Sequence, residues 1–310
     1  MTFSAKRSEE RPSRHDRAQR EILRRRALVE DSLLRFLSPD RCDIPGRLRE
    51  AMEYSLTSGG KRIRPVLLLS AGGAVGGDEK EMLPFACAVE YIHTYSLIHD
   101  DLPAMDDDDF RRGQPSCHKA FGEAEAILAG DALLTEAFRV MGESRIAERD
   151  PGSAVRAMAM LARASGACGM AGGQMMDLRP PGDGVSPAAE EIALRKTAAL
   201  LSAAAGMGGV LGGCDEPRVE SLARYGRTLG ILFQLVDDIL DETGSFEEMG
   251  KRVGKDPGRG KVTCVSEMGM EAAVRKSEEL GREAIAALSL FGPEADTLRG
   301  IVRLVAVRRS

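Results

Sequence analysis

Two acidic clusters contain the residues whose types and spacing are best suited to chemistry. The first lies in HDDLPAMDDDDFRR, residues 99–112, where six aspartates occur within ten positions. The second lies in FQLVDDILDE, where Asp237, Asp238 and Asp241 stand among apolar neighbours. A lone acidic run is usually a solvated surface, but carboxylates on a largely apolar helix need counter-charge. Magnesium binds through a few carboxylate oxygens together with substrate phosphates. The pattern therefore favours a diphosphate held through metal ions.

Basic residues recur beside these clusters or directly after glycines. They are Lys61, Arg62 and Arg64 in GGKRIRP, Arg111 and Arg112 after the first cluster, Lys196, and the bases of GKRVGKDPGRGK after the second cluster. Arginine binds phosphate oxygens as a planar fork and lysine as a point charge. Each base alone is most often a surface charge, but the repeated adjacency indicates anion binding. The GxxxxGK[ST] pattern of a nucleotide-binding loop is absent.

Helical periodicity dominates the elements that must position these groups. Apolar residues at helical spacing predict helices over 43–58, 64–71, 82–100, 124–141, 154–178, 188–210, 217–243 and 270–288, with a last one near the C-terminus. No stretch alternates over the length of a strand, and PPGDGVSP (180–187) is a loop. We predict a flexible basic arm over residues 1–30 and one all-α domain over residues 31–310. That domain is a bundle of about ten or more helices around a central apolar cavity.

Composition excludes several classes of function. The net charge of -5 gives no global basic field for nucleic acid. Six cysteines without CxxC spacing indicate free thiols in a reducing, cytoplasmic compartment. The longest apolar runs are too short to span a bilayer, and the polar N-terminus lacks the apolar segment of a secretory signal.

The chain resembles the short-chain trans-isoprenyl diphosphate synthases, and most closely the bacterial farnesyl diphosphate synthases. The resemblance spans residues 34–263 and is carried by GGKRIRPVLLLSAG, the first acidic cluster, GMAGGQMMDL, KTAALLSAAAGMGG and LGILFQLVDDILDETG. It implies an all-α isoprenoid synthase-type homodimer with three Mg²⁺ ions per active site. It also implies a prenyltransferase that joins isopentenyl diphosphate head to tail to allylic diphosphates, first dimethylallyl and then geranyl. The chain departs from this family at Cys264 and Val265, where relatives usually carry Tyr-Pro.

The resemblance also implies a role for individual residues. The metal ligands are Asp100, Asp101 and Asp106 from the first cluster, and Asp237, Asp238 and Asp241 from the second. The allylic diphosphate is held by Arg111, Lys196, Lys251 and Lys261. Isopentenyl diphosphate is held by Gly60, Lys61, Arg64, His93 and Arg112. The reacting centre is lined by Thr197, Gln234, Gln174 and Asp177. From its spacing alone, His93 is either a packed core residue or a ligand for a second anionic group.

The residues just before Asp100 bear on product length. The resemblance implies that an aromatic five positions before that aspartate, here Tyr95 beside Ser96, goes with a fifteen-carbon product when two extra residues lie inside the motif. Tyr95 could equally be ordinary core packing. A geranylgeranyl diphosphate synthase and a non-catalytic subunit of a heteromeric synthase are the alternatives. A terpene cyclase fits less well, because its second metal motif should carry Asn, Ser and Glu ligands.

Overall fold

The structure, a computed structural model, describes residues 14–178, 188–243 and 263–306. Its first half contains α1 (Arg14–Leu33), a 3₁₀ turn (Arg35–Leu37), α2 (Gly46–Thr57), α3 (Ile63–Gly73), α4 (Glu79–Asp100), α5 (Cys117–Phe121), α6 (Glu123–Gly142), α7 (Arg145–Arg149) and α8 (Pro151–Ser165). Its second half contains α9 (Met170–Asp177), α10 (Ala189–Ile192), a π-helical segment (Ala193–Ala198), α11 (Ala199–Leu211), α12 (Glu216–Thr243), α13 (Cys264–Met268), α14 (Met270–Ala287), a 3₁₀ turn (Pro293–Ala295) and α15 (Asp296–Ala306). The predicted all-α class is confirmed.

A two-residue hairpin is the only sheet in the described residues. Strand β1 (Phe110–Arg111) pairs antiparallel with β2 (Gln114–Pro115), and Gly113 in the turn has a φ of 79°. The backbone N–H of Ser116 donates to the carbonyl of Asp109 at 2.9 Å and closes the base of the hairpin. The hairpin thus connects the first acidic cluster to α5.

Two predicted helices differ from the observed ones. The helix predicted over 154–178 is split, because α8 ends at Ser165 and α9 begins at Met170. Gly166 and Gly169 lie in the break, and glycine is a poor helix former. The helix predicted over 188–210 changes to π geometry between Ala193 and Ala198. Such π turns are frequent at functional sites.

Residues 14–30, assigned above to a flexible arm, belong to a packed helix. Ile22 and Val29 of α1 lie in the main apolar cluster. Arg25 forms an ion pair with Glu79 at the start of α4, with 2.6 Å between nitrogen and oxygen. The amphipathic pattern of α1 was obscured by its many arginines. Residues 1–13 lie outside the described residues, and the division into an arm and one domain stays a prediction.

The core forms where α3, α4, α11 and α12 pack on one another. Its largest fully buried side chains include Phe85, Tyr91 and Tyr225, and Tyr225 donates its hydroxyl to the carbonyl of Leu298 at 2.7 Å. Of these helices, α4 ends at the first acidic cluster and α12 contains the second, so their packing fixes the positions of both. Across the described ranges, none of the helices has the length and apolar character needed to cross a membrane.

Candidate active site

The π-helical segment presents Lys196 to α9. The Lys196 ammonium lies 2.6 Å from Oδ2 of Asp177, and both side chains are largely buried. A Cβ added at Gly173 would lie 2.3 Å from the backbone nitrogen of Lys196. Only glycine allows the two backbones to approach this closely. Gly173 of GMAGGQMMDL therefore lets α9 lie close enough for Asp177 to pair with Lys196.

A chain of hydrogen bonds joins the same segment to α12. The Thr197 hydroxyl donates to Oε1 of Gln234 at 2.9 Å, and the Gln234 amide donates to Oδ1 of Asp238 at 2.9 Å. Oδ2 of Asp238 accepts from the backbone N–H of Cys264 at 3.0 Å. Asp238 therefore orients Gln234 and ties α13 to α12. The departure from the family at Cys264 leaves this backbone contact possible, because it uses no side-chain atom.

Asp100, at the end of α4, lies within the influence of the Lys196 charge. Burial raises the pKa of Asp100 to about 6, while the nearby charge of Lys196 opposes this rise and that of Asp106 adds to it. Desolvation disfavours the charged carboxylate, and a cation would favour it. The first cluster thus lies within the influence of the Lys196 charge, although the two segments lie far apart in sequence.

Asp101 and Arg111 are paired with each other. Nε of Arg111 donates to Oδ1 of Asp101 at 2.9 Å, its Nη2 also bonds that carboxylate, and Asp108 lies 3.5 Å from Nη2. Asp101 is buried, with 2% of its surface exposed. Asp101 was expected to bind metal and Arg111 to hold the allylic diphosphate. In the structure the pair links the loop of the first cluster to the hairpin, and both expected roles stay predictions.

Arg64 and His93 form a basic site that is separate from Lys196. Nη1 of Arg64 lies 3.2 Å from Nε2 of His93. Burial lowers the pKa of Arg64 to about 10, and the attraction of Asp237 partly offsets that fall. Burial and the positive charges of Arg64 and Arg112 hold the pKa of His93 well below its usual value. His93 is therefore neutral and accepts from Arg64. The charge of Asp237, in the second cluster, thus acts on Arg64 of GGKRIRP.

Arg112 packs against Gly59 and Gly60, the glycine pair at the start of GGKRIRP. Its Nη1 donates to the carbonyl of Gly59. Gly60 has a φ of +128°, and a Cβ there would lie 2.7 Å from the Arg112 guanidinium. Burial, together with the charges of Arg62 and Arg111, lowers the pKa of Arg112. The structure thus brings Gly60, Arg64, His93 and Arg112 together, and their part in holding isopentenyl diphosphate stays a prediction.

Glu90 is a structural residue of this region that the sequence reasoning missed. It pairs with Arg62 at 2.7 Å, and both side chains are only 2% exposed. Arg62 adopts a left-handed backbone with a φ of 50° and also donates to the carbonyl of Leu56 at 2.5 Å. Arg62 therefore stabilises the turn between α2 and α3 through buried contacts. Arg64 belongs to the candidate site instead. The acidic Glu90 in an otherwise apolar stretch of α4 was the available signal.

Tyr95 lies on α4 below Asp100. Its ring packs edge to face on His99, with 5.8 Å between centroids, and the burial of the ring together with the charge of Asp100 raises the Tyr95 pKa. His99 in turn packs against Gly130 of α6, where a Cβ would lie 2.2 Å from the imidazole. The Ser96 hydroxyl is turned back onto the carbonyl of His93 at 2.9 Å.

Other predicted residues are placed less completely. Gln174 is 8% exposed, and its amide nitrogen and oxygen have no hydrogen-bond partner within the described ranges. Buried amides are normally satisfied, so Gln174 fits a place where substrate would supply the contacts. Lys61 is exposed, and Asp241 lies partly buried on α12. Lys251 and Lys261 lie outside the described residues.

The donor set fits magnesium. Asp100 at the end of α4, Asp106 in the loop that follows it and Asp237 on α12 would offer carboxylate oxygens. Carboxylate oxygens are the ligands that Mg²⁺ prefers, and Mg²⁺ usually completes its coordination with water and phosphate oxygens. Burial raises the pKa of Asp100, and a bound cation would favour its charged form.

Comparison with known sequences defines the class of protein. Residues 45–289 match the family described as Polyprenyl synthetase. The chain is 47% identical over 272 residues to geranylgeranyl pyrophosphate synthase 9, chloroplastic, of Arabidopsis thaliana, covering 86% of this chain and 75% of that protein. It is 48% identical over 245 residues to heterodimeric geranylgeranyl pyrophosphate synthase large subunit 1, chloroplastic, of the same plant, covering 77% and 66%.

Comparison with solved structures agrees. An FPP/GFPP synthase from Zymomonas mobilis superposes with a TM-score of 0.81 at 34% identity, covering 94% of this chain and 99% of that one. The chain belongs to the polyprenyl synthetase family, and its fold is that of the isoprenoid synthases. It is accordingly a short-chain prenyl diphosphate synthase, and the resemblance to that family is confirmed. The closer likeness to farnesyl diphosphate synthases stays a prediction.

Proposed function

We propose that this chain is a farnesyl diphosphate synthase, which condenses isopentenyl diphosphate with dimethylallyl and then geranyl diphosphate. The observation that carries the proposal is that Asp100 lies within the influence of the Lys196 charge and Asp237 within that of the Arg64–His93 site, although these residues come from distant segments. One acidic and one basic site side by side suit two diphosphate substrates. Tyr95 under the acidic site supports a fifteen-carbon product.

The residues around the reacting centre account for each part of the reaction. Mg²⁺ held by Asp100, Asp106 and Asp237 would neutralise the allylic diphosphate as its bond to the first allylic carbon breaks. Lys196 adds a positive charge at the same leaving group. Because Gln234 engages the hydroxyl hydrogen of Thr197, the oxygen lone pairs of Thr197 remain to face the developing allylic cation.

The second substrate completes the step. Arg64 and Arg112 hold isopentenyl diphosphate so that its double bond attacks the allylic carbon and forms the new carbon–carbon bond. A proton must then leave the condensed product. His93 is neutral but already accepts from Arg64, so the departing diphosphate is the proton acceptor. The same site then accepts the lengthened allylic product for a second round.

The experiment is an incubation with labelled isopentenyl diphosphate and each allylic donor in turn, with and without magnesium. Chromatography of the dephosphorylated products should show farnesol from dimethylallyl and geranyl donors only when magnesium is present. A twenty-carbon product as the main species would favour the second candidate, a geranylgeranyl diphosphate synthase, which the names of the Arabidopsis relatives support. Failure with every donor would favour the non-catalytic subunit of a heteromeric synthase.

Tyr95→Ala should lengthen the product. Removing the ring opens the space below Asp100 toward His99, so the main product should shift from fifteen to twenty carbons or more. Tyr95→Phe is the matched control, since it keeps the ring and should leave the fifteen-carbon product unchanged. Product chromatography at saturating isopentenyl diphosphate measures both variants. An unchanged product in Tyr95→Ala would show that this ring does not limit chain growth.

Asp237→Asn should raise the magnesium concentration required for half-maximal activity at least about tenfold, since even groups that only orient metal ligands change affinity by that much. Asp238→Asn is the neighbouring comparison. Its carboxylate bonds Gln234 and the Cys264 backbone, so it should lower kcat and leave the magnesium requirement within about twofold. Magnesium titrations of the initial rate distinguish them, and an equal rise in both would assign a metal to Asp238 as well.

Three further properties belong to the proposal. We propose a homodimer and three magnesium ions per site, in line with the family resemblance. We also propose a cytoplasmic location, which the six cysteines support because none of them forms a disulfide. Sedimentation analysis at assay concentrations would test the assembly, and a monomeric active enzyme would contradict it.

A further inference from the structure

The last aspartates of the first cluster lie next to a buried histidine. Asp107 and Asp109 are exposed, and each places a carboxylate oxygen within 4.8 Å of an imidazole nitrogen of His118 and of the other oxygen. Asp107 has a left-handed backbone with a φ of 48°, which turns the chain at this point. None of these three residues has a role in the active site described above.

His118 supplies an independent sign of a missing ligand. The residue is 6% exposed, and its Nδ1 lies 3.1 Å from the hydroxyl of Ser116. Its Nε2 is buried and has no hydrogen-bond partner among the residues that the structure describes. Buried ring nitrogens are normally satisfied. Because Nδ1 is held by Ser116, Nε2 is the nitrogen that remains for an ion, and a hydrogen bond at the other nitrogen is how metal-binding histidines are usually oriented.

We propose that Asp107, Asp109 and His118 form a binding site for a divalent transition-metal ion of the Zn²⁺ type, separate from the magnesium site. An imidazole and two carboxylates suit Zn²⁺, whereas Mg²⁺ prefers oxygen ligands alone. Ligand atoms around tetrahedral zinc lie about 3.4 Å apart, given bonds of about 2.1 Å. The exposed aspartate side chains can close the remaining distance by changes of rotamer.

The ion pair between Asp109 and Lys119 must be compatible with a bound metal ion. Oδ1 of Asp109 pairs with Lys119 at 2.9 Å, and the two side chains are 53% and 44% exposed. An exposed ion pair of this kind contributes little to stability, and a carboxylate has a second oxygen for the metal. The pair therefore does not prevent binding.

The position of the site gives the ion a structural role. Asp109 precedes β1, and His118 follows β2 at the start of α5, so the ion closes the base of the hairpin. The backbone hydrogen bond from Ser116 to Asp109 already joins the residues that flank the two strands. Arg111 lies on this hairpin and Arg112 in its turn. Metal binding would therefore stiffen the segment that carries both arginines.

Zinc titration of the full chain by calorimetry, in excess magnesium chloride and without substrate, tests the proposal. One Zn²⁺ should bind per chain, and Asp107→Asn and His118→Asn should each weaken binding at least about tenfold. Asp31→Asn removes an exposed carboxylate on α1 and is the matched control, with unchanged affinity. His118→Asn keeps an amide near Nδ1 for Ser116, and the exposed Asp107→Asn provides a second variant should His118→Asn fail to fold.

Two readouts distinguish this site from a thiolate site and from zinc bound elsewhere on the chain. Co²⁺ in place of Zn²⁺ should lack the intense near-ultraviolet band of thiolate ligation, which would otherwise indicate the neighbouring Cys117. Hydrogen exchange in residues 110–116 should slow on addition of Zn²⁺ in the parent chain and not in Asp107→Asn. The proposal is overturned by no Zn²⁺ binding in magnesium, by binding that both variants retain, or by a thiolate spectrum.

Discussion

Lys196→Met should lower kcat/KM for the allylic substrate by about 10²–10³-fold, the range seen when one preorganised charge-stabilising group is removed. The substitution keeps an unbranched side chain and removes the charge that faces Asp100 and Asp177. The leaving diphosphate loses a partner whose effect grows as negative charge develops. Steady-state kinetics with geranyl diphosphate measure the loss.

Arg195→Met is the matched control for this prediction. Arg195 adjoins Lys196 on the π-helical segment, is 39% exposed and pairs with Glu191 at 3.1 Å. Its removal also deletes one positive charge and one ion pair, but outside the site. Its kcat/KM should stay within about twofold, because exposed pairs contribute little. Equal losses in both variants would mean that Lys196 acts only through the general charge or fold of the segment.

Glu90→Leu should lower the free energy of unfolding by about 3–5 kcal/mol, because it leaves the Arg62 guanidinium buried without its counter-charge. The pair is 2% exposed on both sides and is separated by 2.7 Å. The double variant Arg62→Met with Glu90→Leu should be more stable than Glu90→Leu alone, because the isolated charge is gone. Urea unfolding midpoints at equal slope measure these differences.

A surface pair provides the comparison. Arg156 and Glu216 are also close, at 2.6 Å, but their side chains are 45% and 55% exposed. Glu216→Gln should therefore cost no more than about 1 kcal/mol. A similarly small cost for Glu90→Leu would show that the turn carrying Arg62 is held by other contacts. Glu90→Leu should also impair activity, since the turn that carries Arg62 positions Arg64.

The two acidic clusters could be placed from the sequence because Asp100 ends one helix of clear periodicity and Asp237 lies on another. Asp237 and Asp241 are four residues apart, and the observed α12 extends over both. The glycine pair before the bases was interpreted as a sign of anion binding, and the structure shows the Arg112 guanidinium against Gly60. Periodicity also predicted the all-α class, since it depends on local sequence alone.

The remaining features depend on contacts between distant segments. Nothing local shows that Arg111 pairs with Asp101, or that Asp238 reaches the backbone of Cys264, because these partners are chosen by tertiary packing. The π geometry at Lys196 likewise has no simple sequence signal. The helix predicted across Gly166 and Gly169 was wrong because its apolar positions kept helical spacing on both sides of the break.

The central claim is that both acidic clusters and Lys196 act on one allylic diphosphate. A crystal structure with magnesium and a non-hydrolysable geranyl thiodiphosphate tests it most directly. We predict the thiodiphosphate between Asp100, Asp106 and Asp237, within hydrogen-bond distance of Lys196, with the geranyl chain directed toward Tyr95. A thiodiphosphate bound away from either acidic cluster, or a chain directed away from Tyr95, would contradict this claim.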